Sequence, residues 1–346
     1  MKIHEFYIKR CIELAKNGLG TTYPNPLVGS VIVYDGKIIG EGWHRKAGKP
    51  HAEVNAVNSV KDKSLLSKAT IYVSLEPCSH FGKTPPCCDL IIAHKIPNVV
   101  IGTIDPFAKV SGSGIKKLME AGKNVTVGIL EDECNELNKR FFTFHQKKRP
   151  YIILKWAETA DGYIAPLTKK EQKPVWITNP YSRQLAHKWR SEEQAILVGT
   201  QTVLDDNPKL DVRDWSGENP IRVVLDRTGK ISEEYAVKDL KTKTIIITEN
   251  QNFKNSDNLF YENCTFDNSL AFQITDVLFR HEIQSVIIEG GRATLQTFID
   301  ANLWDEALIF KGNVSFTNGT SAPNLSGKLT EKQTVLDDEL LIFRNV

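Results

Sequence analysis

The chain has 346 residues, of which 41% are hydrophobic and 25% charged, with a net charge of +2. This composition is typical of a globular protein and excludes disordered, collagen-like and coiled-coil chains, while the length suggests two domains. No run approaches the roughly 20 apolar residues of a membrane span, and the polar start MKIHEFYIKR lacks a signal-peptide core. We therefore expect a cytoplasmic protein without membrane association.

The balance of charges weighs against polynucleotide as the main ligand. Lys and Arg together number 44, and Asp and Glu together number 42. A protein held on nucleic acid by phosphate contacts usually carries a larger or more clustered positive excess. A small anion bound by a few basic residues is compatible with this balance, so we expect small-molecule ligands and no nucleic acid.

The first part of the chain predicts a helix and a hairpin, followed by alternating helices and strands. Apolar residues at helical spacing predict a helix over 3–17, and two strand-like runs flank Asp35-Gly36, a strong hairpin signal. Beyond these, the pattern predicts strands over 69–75, 98–104 and 124–129, and helices beginning near His51 and over 88–95, 112–121 and 131–144. This order favours an α/β sandwich around a mixed sheet.

The polar, basic segment 145–150 (HQKKRP) ends in proline and is the predicted domain boundary, which gives domains of 1–146 and 150–346. In the second domain, strands are predicted near 151–157, 194–199, 221–226, 243–248 and 285–289, with closing strands in 334–346. Helices are predicted near 180–190, 268–280 and 293–301. The first of these helices has Asn179-Pro180 as its N-cap and first-turn pair.

A cluster of cysteines in the first domain predicts a metal site. Three of the six cysteines lie within 78–88, and in a reducing compartment such a cluster is more often a metal site than a disulfide. His51, Cys78 and Cys87 form a three-ligand set, and a catalytic zinc keeps its fourth position for water. His51 and Cys87 would lie at helix starts and Cys78 after a strand end, which places them on one edge of a sheet. Cys88 is the alternative to Cys87.

Glu53 follows His51 by two residues, so it would lie near the metal without ligating it. This is the general acid/base position of the zinc deaminases. Glu53 would take a proton from water whose pKa the metal lowers, and would pass it to a ring nitrogen and then to the leaving ammonia. A purely structural zinc would have no use for this carboxylate.

The spacing of the two cysteines makes a family resemblance specific. Eight residues separate Cys78 from Cys87, whereas ordinary cytidine and tRNA adenosine deaminases carry two. With the motifs PNPLVG at 24–29 and GWHR at 42–45, this insert resembles the deaminase half of the bifunctional riboflavin biosynthesis protein family. The resemblance implies a cytidine-deaminase-like α/β/α sandwich that removes an amino group from a diamino-hydroxy-phosphoribosylaminopyrimidine.

The same resemblance implies substrate contacts in the first domain. Asn25 would hold the edge of the pyrimidine. His44 and His80 flank the site in sequence, and each is either a substrate contact or an ordinary loop residue. Lys83 lies with His80 on the long loop, where a phosphoribosyl group could be held. The segment DPFAKVSGSG at 105–114 departs from the Asp-Pro-Asn-Pro often found there in the family.

In the second domain the run VIIEGGR at 286–292 is an apolar strand that ends in paired glycines before a predicted helix. Paired glycines permit close backbone approach, and the free N–H groups of a helix start suit a phosphate. Segments 154–165, 176–178, 195–213 and 222–227 occur in order with this run. The set resembles the reductase half of the same family, whose fold is like dihydrofolate reductase and which uses NADPH to reduce a ribosyl carbonyl to a ribityl chain.

The resemblance to the reductase half implies two groups of site residues. The implied cofactor positions are Trp176, Thr202, Asp206, Gly291, Arg292, Ala293, Thr294, Leu295, Gln296 and Thr297. The implied substrate positions are Arg190, Leu210, Arg213 and Glu289. Both arginines suit a phosphate, because a guanidinium binds it bidentately. We expect one Zn²⁺ per chain, NADPH, phosphoribosylaminopyrimidine substrates and a homo-oligomer, either a dimer or a tetramer.

Two other interpretations of the sequence stay open. The first is a zinc deaminase of nucleosides or tRNA with an accessory domain; the eight-residue spacing and the half that contains Asp206 and Glu289 count against it. The second is a non-catalytic module that binds zinc and phosphate, and Glu53 counts against that.

Overall fold

The computed structural model describes residues 2–81, 85–106, 112–169 and 171–345. The chain divides into two compact units, Met1–Lys148 and Arg149–Val346. Each unit has its own sheet and its own hydrophobic cores. In the described part of the chain, no helix is long and apolar enough to cross a membrane.

The helices and strands of the first unit alternate after an initial helix and hairpin. The helices are α1 (Lys2–Lys16), α2 (Ala52–Ser59), α3 (Cys87–Ala93), α4 (Ser113–Glu120), α5 (Glu131–Leu137) and α6 (Lys139–Lys147). The strands are β1 (Gly29–Tyr34), β2 (Lys37–Trp43), β3 (Thr70–Leu75), β4 (Asn98–Thr103) and β5 (Asn124–Val127). A short 3-10 helix, Lys63–Lys68, precedes β3.

Among the described residues, the strands of the first unit form one mixed sheet in the order β2-β1-β3-β4-β5. Strand β1 is antiparallel to β2 and to β3, whereas β3, β4 and β5 are parallel. Apolar side chains of α1 and α5 pack on one face of the sheet, and those of α2, α3 and α4 pack on the other. The predicted mixed-sheet sandwich is therefore confirmed, and the ends of β3 and β4 lie at the same edge.

Two local predictions in the first unit have different outcomes. The hairpin is confirmed: Asp35 and Gly36 have φ of 50° and 69°, the left-handed conformation that a two-residue hairpin turn requires. The single helix predicted over 131–144 is wrong, because Asn138 separates α5 from α6. The Asn138 side chain accepts a hydrogen bond from the Leu27 amide (2.8 Å) and donates one to the Leu27 carbonyl (2.9 Å).

The second unit contains the remaining helices and strands. The helices are α7 (Pro180–Glu192), α8 (Thr200–Asp206), α9 (Leu270–Arg280) and α10 (Arg292–Asp300), with a short 3-10 helix at Ala236–Lys238. The strands are β6 (Tyr151–Glu158), β7 (Tyr163–Pro166), β8 (Ala195–Gly199), β9 (Ile221–Leu225), β10 (Thr244–Thr248), β11 (Leu259–Asn263), β12 (Ser285–Gly290), β13 (Glu306–Lys311), β14 (Gly319–Ser321), β15 (Lys328–Val335) and β16 (Asp338–Arg344).

In the described residues of the second unit, the large sheet has the order β11-β10-β9-β8-β12-β6-β13-β16-β15. The strands from β11 to β13 are parallel, and β16 and β15 continue the sheet antiparallel. Helices α9 and α10 cover one face and α7 and α8 the other. Strands β8, β12 and β6 therefore end side by side at the edge where α8 and α10 begin.

Strands β7, β11, β13 and β14, most of β15 and helix α8 were not predicted from the sequence. Strand β13 (EALIFK) is the most consequential, because it joins the parallel part of the sheet to the antiparallel hairpin β15–β16. Its residues are buried on both faces, so they show no alternation of apolar and polar side chains. A run this short cannot be assigned by periodicity alone.

Phe298→Ala should lower the free energy of unfolding of the second unit by about 3–5 kcal/mol, because its fully buried ring would leave a cavity between α10 and the sheet. Phe272 on α9 is 51% exposed, so Phe272→Ala is the matched control, with an expected change within about 0.5 kcal/mol. Denaturant unfolding followed by circular dichroism measures both variants. Equal losses would contradict the packing described for α10.

Candidate functional site

Three side chains with metal-binding atoms converge at the edge of the sheet where β3 ends. His51 is the N-cap of α2, Cys78 follows β3, and Cys87 is the first residue of α3. The Nδ1 atom of His51 lies 3.6 Å from the sulfur of Cys78 and 3.4 Å from that of Cys87, and all three donor atoms lie within 4.8 Å of one another. The structure thus brings together the three residues predicted to bind a metal.

The spacing of these donor atoms fits zinc. Tetrahedral zinc has bonds of about 2.3 Å to sulfur and about 2.0–2.1 Å to nitrogen, which places the nitrogen about 3.6 Å from each sulfur. The His51–Cys78 and His51–Cys87 distances of 3.6 and 3.4 Å agree with this geometry. One histidine and two cysteines also leave a fourth position for a non-protein ligand.

The two cysteines differ in their protonation. The Cys78 sulfur accepts hydrogen bonds from the Cys87 thiol, His51 and the Cys87 amide (3.3 Å), and these lower the pKa of Cys78 to about 4. The pKa of Cys87 is raised, because its proton is held by Cys78 and its sulfur is buried. Cys88 points elsewhere, since its thiol donates to the carbonyl of Pro77 (3.2 Å).

Glu53 lies in the first turn of α2 and is only 3% exposed. Burial, together with the negative charge of Cys78, raises its pKa to about 7. A carboxyl group with a pKa near neutrality can both accept and release a proton under physiological conditions. Glu53 therefore has the position and the proton affinity of a general acid/base beside the metal donors.

A second buried carboxylate, Glu76, organises the loop that carries Cys78. Its Oε1 accepts hydrogen bonds from the amides of Gly114 (2.9 Å) and Ile115 (3.3 Å). Its Oε2 accepts from the amides of Gly112 (3.0 Å) and Asp105 (3.3 Å). The start of α4 and the segment after β4 are thereby held against the metal loop. Sequence reasoning did not single out Glu76, although a carboxylate between a buried strand and a ligand cysteine was a usable signal.

The substrate residues predicted in the first unit have different surroundings. Asn25 is half-buried, and its side-chain nitrogen lies 3.0 Å from Nε2 of His44. His44 is buried, and its ring packs edge-on against the ring of His51 with centroids 5.3 Å apart. His80 is exposed in the segment after Cys78. Lys83 lies outside the described residues.

A large cavity in the second unit opens at the ends of the parallel strands. Its volume is about 980 Å³, at the upper end of the range of about 300–1,000 Å³ for small-molecule sites. All of the predicted cofactor residues line it: Trp176, Thr202, Asp206, Gly291, Arg292, Ala293, Thr294, Leu295, Gln296 and Thr297. The predicted substrate residues Arg190, Arg213 and Glu289 also line it, whereas Leu210 does not and is buried in the core.

The backbone between β12 and α10 suits a phosphate-bearing cofactor such as NADPH. Gly290 has φ of 138°, a conformation that favours glycine, and its peptide bond to Gly291 is cis. A side chain on Gly199, opposite this turn, would lie only 2.5 Å from the Thr294 hydroxyl, so glycine is required for the close approach. The first amides of α10 are free of intrahelical partners by geometry, and such amides bind phosphate groups.

Three charged side chains lie together at one side of this cavity. Arg190 donates to both carboxylate oxygens of Glu289, with Nε–Oε1 and Nη2–Oε2 distances of 2.8 and 2.6 Å. Lys155 lies 4.0 Å from the same carboxylate. Burial opposes the ionisation of Glu289, but the charges of Arg190 and Lys155 outweigh it and lower the pKa of Glu289 to about 2. Glu289 is therefore ionised, and much of the hydrogen-bonding capacity of Arg190 is used on it.

Lys155 is a cavity residue that sequence reasoning missed. It lines the cavity from strand β6, where it interrupts the apolar run YIILKWA, and burial lowers its pKa. A lysine inside a central parallel strand, which is covered on both faces, was the available signal. Arg213, by contrast, is 45% exposed and pairs with Asp211 (3.1 Å), so its guanidinium remains accessible to a ligand.

Both units match models of known protein families. Residues 1–103 match the cytidine and deoxycytidylate deaminase zinc-binding region, and residues 150–328 match the RibD C-terminal domain. The chain is 41% identical to the riboflavin biosynthesis protein RibD of Aquifex aeolicus, over 99% of this chain and 98% of that protein. It is 34% identical to RibD of Escherichia coli K12, over 88% of this chain and 86% of that protein.

Solved structures agree with these matches over the whole length of the chain. A diaminohydroxyphosphoribosylaminopyrimidine deaminase/5-amino-6-(5-phosphoribosylamino)uracil reductase from Thermotoga maritima is 38% identical, with a TM-score of 0.90 and coverage of 100% of this chain and 99% of that one. RibD of Acinetobacter baumannii is 30% identical, with a TM-score of 0.87 and the same coverage. The predicted fold class is confirmed, and the chain belongs to the RibD family of riboflavin biosynthesis proteins.

Proposed function

We propose that this chain catalyses two consecutive reactions of riboflavin biosynthesis. The first is the zinc-dependent hydrolytic deamination of 2,5-diamino-6-(phosphoribosylamino)pyrimidinone, in a domain spanning 1–146. The second is the NADPH-dependent reduction of the ribosyl chain of 5-amino-6-(phosphoribosylamino)uracil to ribityl, in a domain spanning 150–346. The observation that carries the proposal is that one chain contains both a His51–Cys78–Cys87 donor set with Glu53 beside it and a separate cavity with Glu289 and Arg213.

In the deaminase domain, His51, Cys78 and Cys87 would hold the zinc, which when bound supplies an acidified water for attack on the pyrimidine. Glu53 stores the proton that this water gives up, because burial raises the pKa of Glu53 to about 7. Its carboxyl group then delivers this proton to the ring nitrogen. When the added hydroxyl becomes a carbonyl, Glu53 takes the hydroxyl proton and passes it to the departing amino group, which leaves as ammonia. Asn25 binds the edge of the pyrimidine and so orients the ring toward Glu53.

In the reductase domain, the turn at Gly290-Gly291 and the start of α10 would hold NADPH, which supplies a hydride to the sugar carbon. Glu289, ionised and fixed by Arg190, accepts hydrogen bonds from the sugar hydroxyls. Lys155 delivers a proton to the carbonyl oxygen, because its ammonium lines the cavity and burial lowers its pKa. Arg213 binds the phosphate of the substrate through its accessible guanidinium.

Assembly and location stay predictions. We propose a homo-oligomer, a dimer or a tetramer, that works in the cytoplasm. Small phosphoribosylaminopyrimidines, and not nucleic acid, are the proposed substrates.

Glu53→Gln should lower the rate of ammonia release by about 10²-fold or more, because the amide cannot store the proton. Zinc content should not change, since Glu53 is not in the donor set. Ammonia release and metal analysis of the purified variant measure the two effects.

The same variant should still oxidise NADPH when it is given the deaminated ribosyl intermediate. Loss of zinc together with activity would make Glu53 a ligand, and loss of the reductase step in a folded, zinc-loaded variant would show that the two halves are coupled.

Cys87→Ser should lower zinc occupancy, because a hydroxyl is a much weaker zinc ligand than a thiolate. Cys88→Ser is the matched control: its thiol contacts the carbonyl of Pro77 instead of the donor set, so most of the zinc should remain. Metal analysis after dialysis against a weak chelator compares the two variants. The opposite pattern would transfer the ligand role to Cys88.

Arg213→Ala should raise KM in the reductase step by roughly ten-fold or more, since a hydrogen bond to a charged group contributes about 1.5–3 kcal/mol. Ammonia release should be unaffected. Arg280→Ala, at an exposed arginine paired with Glu262, is the matched control and should change neither step. Steady-state NADPH oxidation provides the measurement. A fall in kcat at constant KM would mean that Arg213 positions the reacting carbonyl and does not simply bind the phosphate.

A further inference from the structure

His44 lies just beyond β2 and is only 2% exposed. Both of its ring nitrogens have partners inside the protein. Nδ1 is 3.2 Å from the carbonyl oxygen of Pro50, and Nε2 is 3.0 Å from the side-chain nitrogen of Asn25. The ring therefore has no polar atom left to offer a substrate.

The two partners of the His44 ring determine the direction of both hydrogen bonds. A carbonyl oxygen can only accept, so Nδ1 of His44 must carry a proton. The side-chain nitrogen of Asn25, 3.0 Å from Nε2, can only donate. Nε2 is therefore an acceptor, and Asn25 must donate to it.

From this chain of hydrogen bonds we infer that His44 is a positioning residue, which acts on deamination by orienting the carboxamide of Asn25 and does not touch the substrate. The inference rests on the proposed deaminase function and assigns the groups that recognise its substrate. One N–H of Asn25 is committed to His44, and the amide oxygen and the second N–H remain available. An acceptor beside a donor complements a lactam edge, in which a ring N–H adjoins a C=O, as in a pyrimidinone.

His44 also links the position of the Asn25 carboxamide to that of the metal-binding residues. Pro50, which accepts from His44, immediately precedes His51, and the two histidine rings are in edge contact. Asn55 donates to the carbonyls of Trp43 (2.8 Å) and Pro50 (3.2 Å), which holds the two backbone segments together. The distance between Asn25 and His51 is thus set through His44.

Two substitutions of His44 separate its two hydrogen bonds. In His44→Gln, the amide oxygen can take the place of Nε2 and accept from Asn25. In His44→Asn, the shorter amide can take the place of Nδ1 and donate to Pro50, but the bond to Asn25 is lost. His44→Asn should raise KM for the pyrimidine roughly five- to ten-fold, the equivalent of one hydrogen bond of about 1–1.4 kcal/mol, with a smaller change in kcat. His44→Gln should raise KM about two-fold or less. Both variants should retain zinc.

The same two substitutions in an Asn25→Ala background test the route of the effect. If His44 acts only through Asn25, the two variants should have equal KM values there, because the partner that distinguishes them is gone. A five-fold or larger difference that persists without Asn25 would overturn the inference, since His44 would then contact the substrate directly.

Nitrogen-15 NMR of the imidazoles in the zinc-loaded wild-type protein gives a readout that needs no turnover. The His44 resonances, assigned by their loss in His44→Gln, should show a protonated Nδ1 and an unprotonated Nε2. The reversed tautomer would overturn the inference even if the protein deaminates its substrate. Absence of ammonia release from the wild-type protein would instead overturn the proposed function.

Discussion

Four backbone amides donate to the carboxylate of Glu76, and the deaminase site depends on this one buried group. Removed from water, a carboxylate is stable only when its oxygens are hydrogen-bonded. Those bonds hold the start of α4 and the segment after β4 beside the loop of Cys78. Cys78 can therefore meet His51 and Cys87 at zinc-binding distances although the three residues come from separate elements. The backbone hydrogen bonds to Glu76 thus hold the metal-binding loop in place. Helix α2, which His51 caps, supplies Glu53 to the same site.

The cavity of the second unit uses buried charge in a comparable way. Glu289 would be costly to bury alone, and Arg190 with Lys155 compensates its charge. The resulting cluster keeps Glu289 ionised, pairs Arg190 with both of its carboxylate oxygens, and places the buried Lys155 side chain at the cavity wall. In both units, then, a carboxylate at the end of a strand is held by fixed donors, and the reactive groups are arranged around it.

The sequence predicted what depends on local motifs and could not predict what depends on distant pairing. His51, Glu53, Cys78 and Cys87 lie in short segments whose spacing and flanking elements indicate a zinc deaminase, and the structure brings them together. Lys155 and the Arg190–Glu289 pair are different, because the contacts of these side chains depend on which strands become neighbours in the sheet. The split of the helix at Asn138 also depends on a partner, Leu27, from the other end of the unit. Periodicity carries no information about such partners.

The order of strands in the large sheet has a consequence for how the second unit folds. Strand β6 is the first strand of the unit in sequence, yet its neighbours β12 and β13 are among the last, with Tyr151 opposite Ser285. Such long-range pairing gives a high contact order and slow folding. During synthesis β6 remains without its neighbours until almost the whole unit has been made, whereas the sheet of the first unit can already form. The apolar run of β6 is therefore the segment most exposed to wrong association in the nascent chain.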